Sequence, residues 1–325
     1  MKTTRSRLTA AMAPPLVALA LLAAACGADD SEIVDAVPDD PTTTIATAET
    51  AASETSGDAT SDTASNTASD NGSTGSTVAT AGLSCAETAA LFVTGGSANA
   101  NLADPEVSAS CDGDSVGVES VVIASNGIPD YTYIETSPGS PRAADYVFTI
   151  PASPTLADEL TDVPALGTAA VSLGGIPIYG PTEGTGGDVL SLAGALSECG
   201  SHNGPTGFHI HQILTTDSTD CLFTPAEVAA APQLVGYALD GYPIYTGIDQ
   251  YTSSWQLTDE SLFASDTWAA HSYVEGFGDL DQCNGLTDAD GNYAYYTTET
   301  FPYVIGCYAG VVDVSAAGGG GGGGR

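Results

Sequence analysis

Basic residues are nearly absent: the chain of 325 residues has five Lys and Arg against 41 Asp and Glu, a formal charge of −36. Lys2, Arg5 and Arg7 precede every acidic residue, so after residue 26 only Arg142 and Arg325 oppose the carboxylates. Nucleic-acid binding rests on clustered Lys and Arg at phosphates, and it is excluded on this ground. No glycine-rich phosphate loop is present either, so no nucleotide cofactor is expected. An anionic membrane would repel such a chain, which leaves a lipid anchor as its route to a membrane. Cys-x-x-Cys pairs are missing, which argues against thiolate metal sites. Gly-x-Ser-x-Gly and His-Glu-x-x-His are missing too, and no catalytic residue can be assigned.

Long apolar runs are also lacking. The longest candidate, residues 16–25 (LVALALLAAA), is too short to remain as a membrane span. Placed after Lys2, Arg5 and Arg7, it has the charged-then-apolar order of a secretory signal. Leu22-Ala23-Ala24-Ala25-Cys26-Gly27 sets small residues before a cysteine, as bacterial lipoprotein signals do, with Ala23 where leucine is usual. This predicts lipidation of Cys26 and a chain held on the cell membrane, facing the extracellular or periplasmic side. The alternative is ordinary cleavage after Ala25, which leaves Cys26 a free thiol.

Removing Cys26 leaves an even set of six cysteines, suited to an oxidising compartment. Proximity and the internal repeat described below pair Cys85 with Cys111, Cys199 with Cys221 and Cys283 with Cys307. Each closes a loop of roughly 25 residues, worth about 3.4 kcal/mol in the chain-entropy model.

Composition divides the chain into a signal peptide (1–25), an acidic Ser/Thr/Ala linker (26–82), a globular domain (83–315) and a glycine-rich tail (316–325). The linker has no aromatic or basic residue from 28 to 81 and is read as disordered. The domain is expected to be mainly β, an antiparallel sandwich-like fold with few short helices. Runs rich in β-branched and aromatic residues at 116–125, 146–150, 208–214, 292–298 and 303–312 read as strands. Thr224-Pro225-Ala226-Glu227 opens a short helix with a capping box and Pro at its first position. A second helix is expected over 188–198. Most informative is a repeat: Val171-Ser172-Leu173-Gly174-Gly175-Ile176-Pro177-Ile178-Tyr179 matches Tyr237-Ala238-Leu239-Asp240-Gly241-Tyr242-Pro243-Ile244-Tyr245. Each copy reads as a hairpin with a two-residue Gly-Gly or Asp-Gly turn. Each is followed by a cysteine and an aromatic strand, so two copies of one β unit are expected to pack together.

Three of the four histidines, His202, His209 and His211, fall within eleven residues. On a strand His209 and His211 share one face, roughly 7 Å apart, while Phe208 and Ile210 point into the core. The Gly and Pro turn at 203–207 folds His202 back beside them, giving a three-imidazole site of the kind Zn²⁺ or Cu²⁺ accepts, with His271 as a fourth candidate. The bland alternative is three rings that cover a polar strand face or hydrogen-bond to nearby carboxylates. Asp279, Asp281, Asp288 and Asp290 offer hard oxygen ligands for a structural Ca²⁺, although the distal Glu of a calcium loop is missing and Asp-Gly-Asn is ordinary turn chemistry.

Several blocks resemble, in order, those of the bacterial YHYH-domain proteins, named for a Tyr-His-Tyr-His motif. They are Ser125-Asn126-Gly127-Ile128-Pro129, residues 236–245, Asp279-Leu280-Asp281-Gln282-Cys283-Asn284-Gly285 and Tyr303-Val304-Ile305-Gly306-Cys307-Tyr308. The naming motif stands here as Phe208-His209-Ile210-His211, with both histidines kept. A later motif of similar type corresponds to Tyr293-Ala294-Tyr295-Tyr296, where both histidine positions are lost. The resemblance implies an exported domain and a fold more than an activity. Three function classes follow: a surface lipoprotein binding a transition metal, a disulfide-stabilised module recognising a surface protein or small molecule, and a metal-dependent extracellular enzyme.

Overall fold

The computed structural model describes residues 82–113, 119–136 and 139–313. The expected signal peptide, Cys26, the linker up to residue 81 and the glycine tail lie outside these residues. The described chain is mainly β, with three short helices: α1 (Cys85–Ala89), α2 (Pro225–Ala230) and α3 (Thr267–Ala270). Helix α2 starts as its sequence dictates. Thr224 caps it, Glu227 closes the capping box and Pro225 opens it. Helix α1 carries a matching box from Ser84 and Glu87.

Strands β1 (Val107–Gly113), β2 (Glu119–Ser125) and β3 (Tyr146–Pro151) form an antiparallel sheet in that order. Its alternation is clean: Tyr146, Phe148 and Ile150 are buried while Val147 is exposed. Strand β4 (Leu156–Asp162) pairs with the last strand, β15 (Cys307–Gly310). The expected strand at 303–312 is shortened to β15, because Tyr303 takes a left-handed φ of 66° and sends its hydroxyl to Asp188.

The main sheet has eight strands. They are β5 (Thr168–Ser172), β6 (Pro177–Tyr179), β7 (Ser201–Gly204), β8 (Gly207–Ile210), β9 (Leu234–Ala238), β10 (Pro243–Thr246), β13 (Gly285–Thr287) and β14 (Tyr293–Thr297). The short strands β11 (Trp255–Leu257) and β12 (His271–Tyr273) pair apart from it. Across the main sheet the order is β7-β8-β6-β5-β9-β10-β14-β13. This order is a palindrome of the sequence repeat. The two hairpins β5–β6 and β9–β10 meet through an antiparallel β5–β9 seam. Outward from each hairpin comes one parallel step, β6 to β8 and β10 to β14, and then one antiparallel step. The two copies therefore pack as expected, but the sheet is mixed rather than wholly antiparallel.

The hairpin turns differ from the two-residue reading. Each loop has three residues, 173–175 and 239–241, and only the last takes positive φ: Gly175 at 79° and Gly241 at 87°. This is the longer hairpin loop in which a left-handed glycine follows the turn. The expected helix at 188–198 is also absent. Asp188 caps a single 3-10 turn, Val189–Ser191, and Gly194 then turns the chain with φ 76°. The rest of the Asp188 carboxylate is engaged by the hydroxyls of Thr267 and Tyr303. Every residue of β5 is buried, as suits the centre of a sheet covered on both faces. The core joins Ala169, Val171, Ile178, Ile210 and Ile244 of this sheet to Val121, Ile123 and Phe148 of the smaller one.

Three disulfides, Cys85–Cys111, Cys199–Cys221 and Cys283–Cys307, pair as sequence proximity predicts. Cys199 and Cys283 hold equivalent places ahead of the two aromatic strands β8 and β14. No helix of the described residues is long and apolar enough to cross a membrane.

Candidate metal centre

The β7–β8 hairpin brings the histidines together. His202 lies directly across from His209, with the strands joined at Gly204 and Gly207 around Pro205 and Thr206. Strand β8 ends at Ile210, short of the expected 214. Beyond it the N–H groups of His211 and Gln212 both donate to the carbonyl of Gly200. A side chain on Gly200 would run into the Gln212 carbonyl, so glycine with φ 80° is required there. This local bend draws His211 in: its ring centroid lies 4.9 Å from that of His209 and 5.2 Å from that of His202. Gly204 leaves room for the triad, since a Cβ there would sit 2.8 Å from Cε1 of His209.

All three rings are buried, with 7, 5 and 2% exposure for His202, His209 and His211. One ligand nitrogen from each lies within 4.8 Å of the others. Two of the remaining nitrogens are held by the backbone. Nδ1 of His209 donates to the Gly207 carbonyl at 2.9 Å and Nδ1 of His211 to the Gly180 carbonyl at 2.7 Å. The Ala195 backbone beside His202 favours its protonated form. A carbonyl only accepts, so His209 and His211 carry a proton on Nδ1 and turn an Nε2 lone pair inward. Metal-binding histidines are oriented in this way. The 2.9 Å contact between the first two rings has His202 donating from Nε2 to Nε2 of His209. Tyr179 stacks on His209 at 4.1 Å and fixes the ring plane, its hydroxyl tied to Thr206.

Within the triad Nε2 of His202 and Nε2 of His209 share that hydrogen bond, and only Nε2 of His211 is left over, buried without a partner. Protonation is opposed. Burial, followed by the neighbouring imidazoles, pushes His209 down to about 3, and burial pushes His211 down to about 4. Burial also lowers His202, against the pull of Glu183. Ligands of a tetrahedral Zn²⁺ at 2.0–2.1 Å lie about 3.3 Å from one another, so an ion between His202 and His209 asks for an opening of a few tenths of an ångström.

His271 is not part of the group. It leads β12, stacks on Phe301 at 4.0 Å and gives Nδ1 to the Thr267 carbonyl, within an aromatic cluster with Trp255 and Trp268. The acidic residues considered for Ca²⁺ serve separate turns. Asp279 accepts from Thr252, Asp281 from Cys283, Gly285 and Tyr293, and Asp288 from Asp290 and Asn292. Neither these nor Asp290 form a cation-holding group among the described residues. The repeat explains Asp281: in the first copy Ser197 accepts the same two bonds, from Cys199 and Ser201.

Register also locates the counterpart of the triad in the second copy. Ile210 pairs with Ile178 as Tyr295 pairs with Ile244, so His209 corresponds to Ala294 and His211 to Tyr296. Leu286, opposite Ala294, stands where His202 does. Around Ala294 lies a cavity of about 650 Å³ lined by Tyr237, Tyr242, Tyr245, Tyr293 and Tyr296, with Asp288 and Asp290 beside them.

One residue of the centre was not singled out from sequence. Glu183, in the loop after β6, places Oε2 3.6 Å from Nε2 of His202. It lies nineteen positions before the first clustered histidine, among dozens of other carboxylates, and carries no local signature.

A family model described as YHYH protein matches residues 147–310, a span containing both copies of the repeat and the whole triad. No curated protein matches the chain. No solved structure matches it either.

Proposed function

The chain belongs to the YHYH protein family, and from that footing we propose that it is a surface lipoprotein whose domain binds Zn²⁺ or Cu²⁺ through His202, His209 and His211. One observation carries this reading: three buried imidazoles place ligand nitrogens within 4.8 Å of one another, with Nδ1 of His209 and of His211 bonded to backbone carbonyls and Nε2 of His211 left without a partner. Histidines merely covering a strand face have no reason to bury Nε2 of His211 without a partner beside two further imidazoles. Calorimetric titration of the full chain with Zn²⁺ and Cu²⁺, beside a His209→Ala/His211→Ala double variant, tests it. Binding by the wild type alone is expected; equal, negligible heats from both end the reading.

Anchoring at Cys26 is supported by the basic, apolar and small-residue order of residues 1–26 and by three disulfides that suit an oxidising compartment. With Cys26→Ala the protein moves from the membrane pellet to the soluble fraction; unchanged partition refutes the anchor. The tyrosine-lined cavity favours a second reading, a recognition module for a neutral or cationic surface ligand. It requires that a partner retained by the wild type be lost with Tyr245→Ala/Tyr296→Ala, and equal retention by both rules it out.

A further inference from the structure

The scarcity of basic residues poses a question about Glu183. Its Oε2 is buried and has no hydrogen-bond partner, although Oε1 accepts from the N–H of Gly184 at 2.9 Å. A buried carboxylate oxygen needs a counter-charge or donors. Among the described residues the only Lys or Arg is Arg142, which is exposed. What faces Oε2 instead is Nε2 of His202, at 3.6 Å. Nε2 of His211, equally buried, is bare in the same way.

The loop that carries Glu183 is built to hold it in place. It follows Gly180, whose carbonyl orients His211, so one short segment serves the triad twice. The N–H of Glu183 donates to Gly187 at 2.8 Å and its carbonyl accepts from Gly186 at 2.8 Å. A β-bridge between Thr182 and Asp188 closes the same turn. Gly187 lies so near the Ala264 backbone that a side chain there has no room. The backbone under Glu183 is therefore pinned from both sides with Oε2 3.6 Å from Nε2 of His202, and its side chain has to swing toward His209 and His211 to join all three.

We propose that Glu183 is the fourth ligand of the centre, which is then a closed three-histidine, one-carboxylate site for a divalent transition ion. The proposal rests on the triad binding a metal and adds what completes the sphere. One divalent ion offsets the carboxylate charge, satisfies the bare Nε2 of His211 and replaces the single His202–His209 hydrogen bond with two metal bonds. Four protein ligands mark a site that holds its ion, whereas a catalytic zinc site keeps a position open for water or substrate. The centre is thus assigned to holding a metal rather than to activating water, and Zn²⁺ suits its mixed nitrogen and oxygen donors.

Co²⁺ is the probe, because its visible bands report coordination number. Titrations of the full chain are compared for wild type, Glu183→Gln, Glu183→Ala and His209→Ala/His211→Ala. Expected for the wild type is a tetrahedral spectrum that added azide leaves unchanged. Glu183→Gln, which keeps the acceptor for Gly184, and Glu183→Ala are each expected to bind Co²⁺ about tenfold to a hundredfold more weakly, the loss that even an outer-shell residue causes. Azide should then alter the spectrum of Glu183→Ala by entering the vacated position. Wild-type affinity and spectrum in both Glu183 variants, with binding lost only in the histidine variant, overturn the fourth ligand and leave the triad standing. No Co²⁺ uptake by the wild type overturns both.

Discussion

Acid should destabilise the metal-free domain through His209 and His211, by an amount that can be worked out. An unfolded imidazole titrates near 6.5, whereas the folded values lie near 4 for His211 and near 3 for His209. The folded state therefore binds fewer protons than the unfolded state below about pH 6.5, and stability rises with pH across that window. Read downward, stability is lost as pH falls through 6.5 and goes on falling until the folded rings protonate near 4 and 3. From pH 7 to pH 5 the linkage integral gives about 2 kcal/mol for each histidine, about 4 kcal/mol for the two. The result depends little on the depth of the folded values, because both rings are still largely neutral at pH 5. The assay is urea unfolding in EDTA at pH 7 and pH 5, disulfides intact, for wild type and His209→Ala/His211→Ala. Carboxylate titration is common to both chains and cancels in the comparison. The wild type should lose about 4 kcal/mol more than the variant on acidification; a difference under about 1 kcal/mol refutes the claim that these rings are buried and neutral. A parallel arm at pH 7 with Zn²⁺ at a hundred times its dissociation constant should stabilise only the wild type, by about 2.7 kcal/mol.

Two further outcomes follow from local geometry. Gly204→Ala puts a Cβ 2.8 Å from Cε1 of His209 and should cut Zn²⁺ affinity by about tenfold or more with near-ultraviolet circular dichroism preserved; unchanged affinity in calorimetry shows that the ring is placed by other contacts. Removing the disulfide across 22 residues with Cys199→Ser/Cys221→Ser should lower stability in urea by about 3 kcal/mol, and an unmoved midpoint contradicts it.

How much could be read from the sequence depended on whether the determining contact was local. The triad was legible because His209 and His211 are two positions apart at the end of one strand and a Gly and Pro turn returns His202 to them, although the bend at Gly200 that draws His211 in was not. The hairpins were legible because Gly175 and Gly241 occupy backbone that only glycine enters cheaply. Distant contacts hid the rest. Residues 188–198 look helical, but Asp188 is claimed by Thr267 and Tyr303, more than 75 positions away. His271 shares a residue type with the triad, yet it packs on Phe301. Asp281 resembles a calcium ligand in isolation, and only the equivalence to Ser197 identifies it as a turn acceptor. Glu183 belongs beside the histidines through a loop whose path no spacing rule encodes.

The palindromic strand order means that the frame around the imidazoles exists twice, once with them and once without. Leu286, Ala294 and Tyr296 occupy in the second copy the places that His202, His209 and His211 hold in the first. Backbone frame and side-chain chemistry are therefore separable in this fold. One half presents imidazoles on this frame and its twin presents Leu, Ala and Tyr there, while a single seam holds both upright.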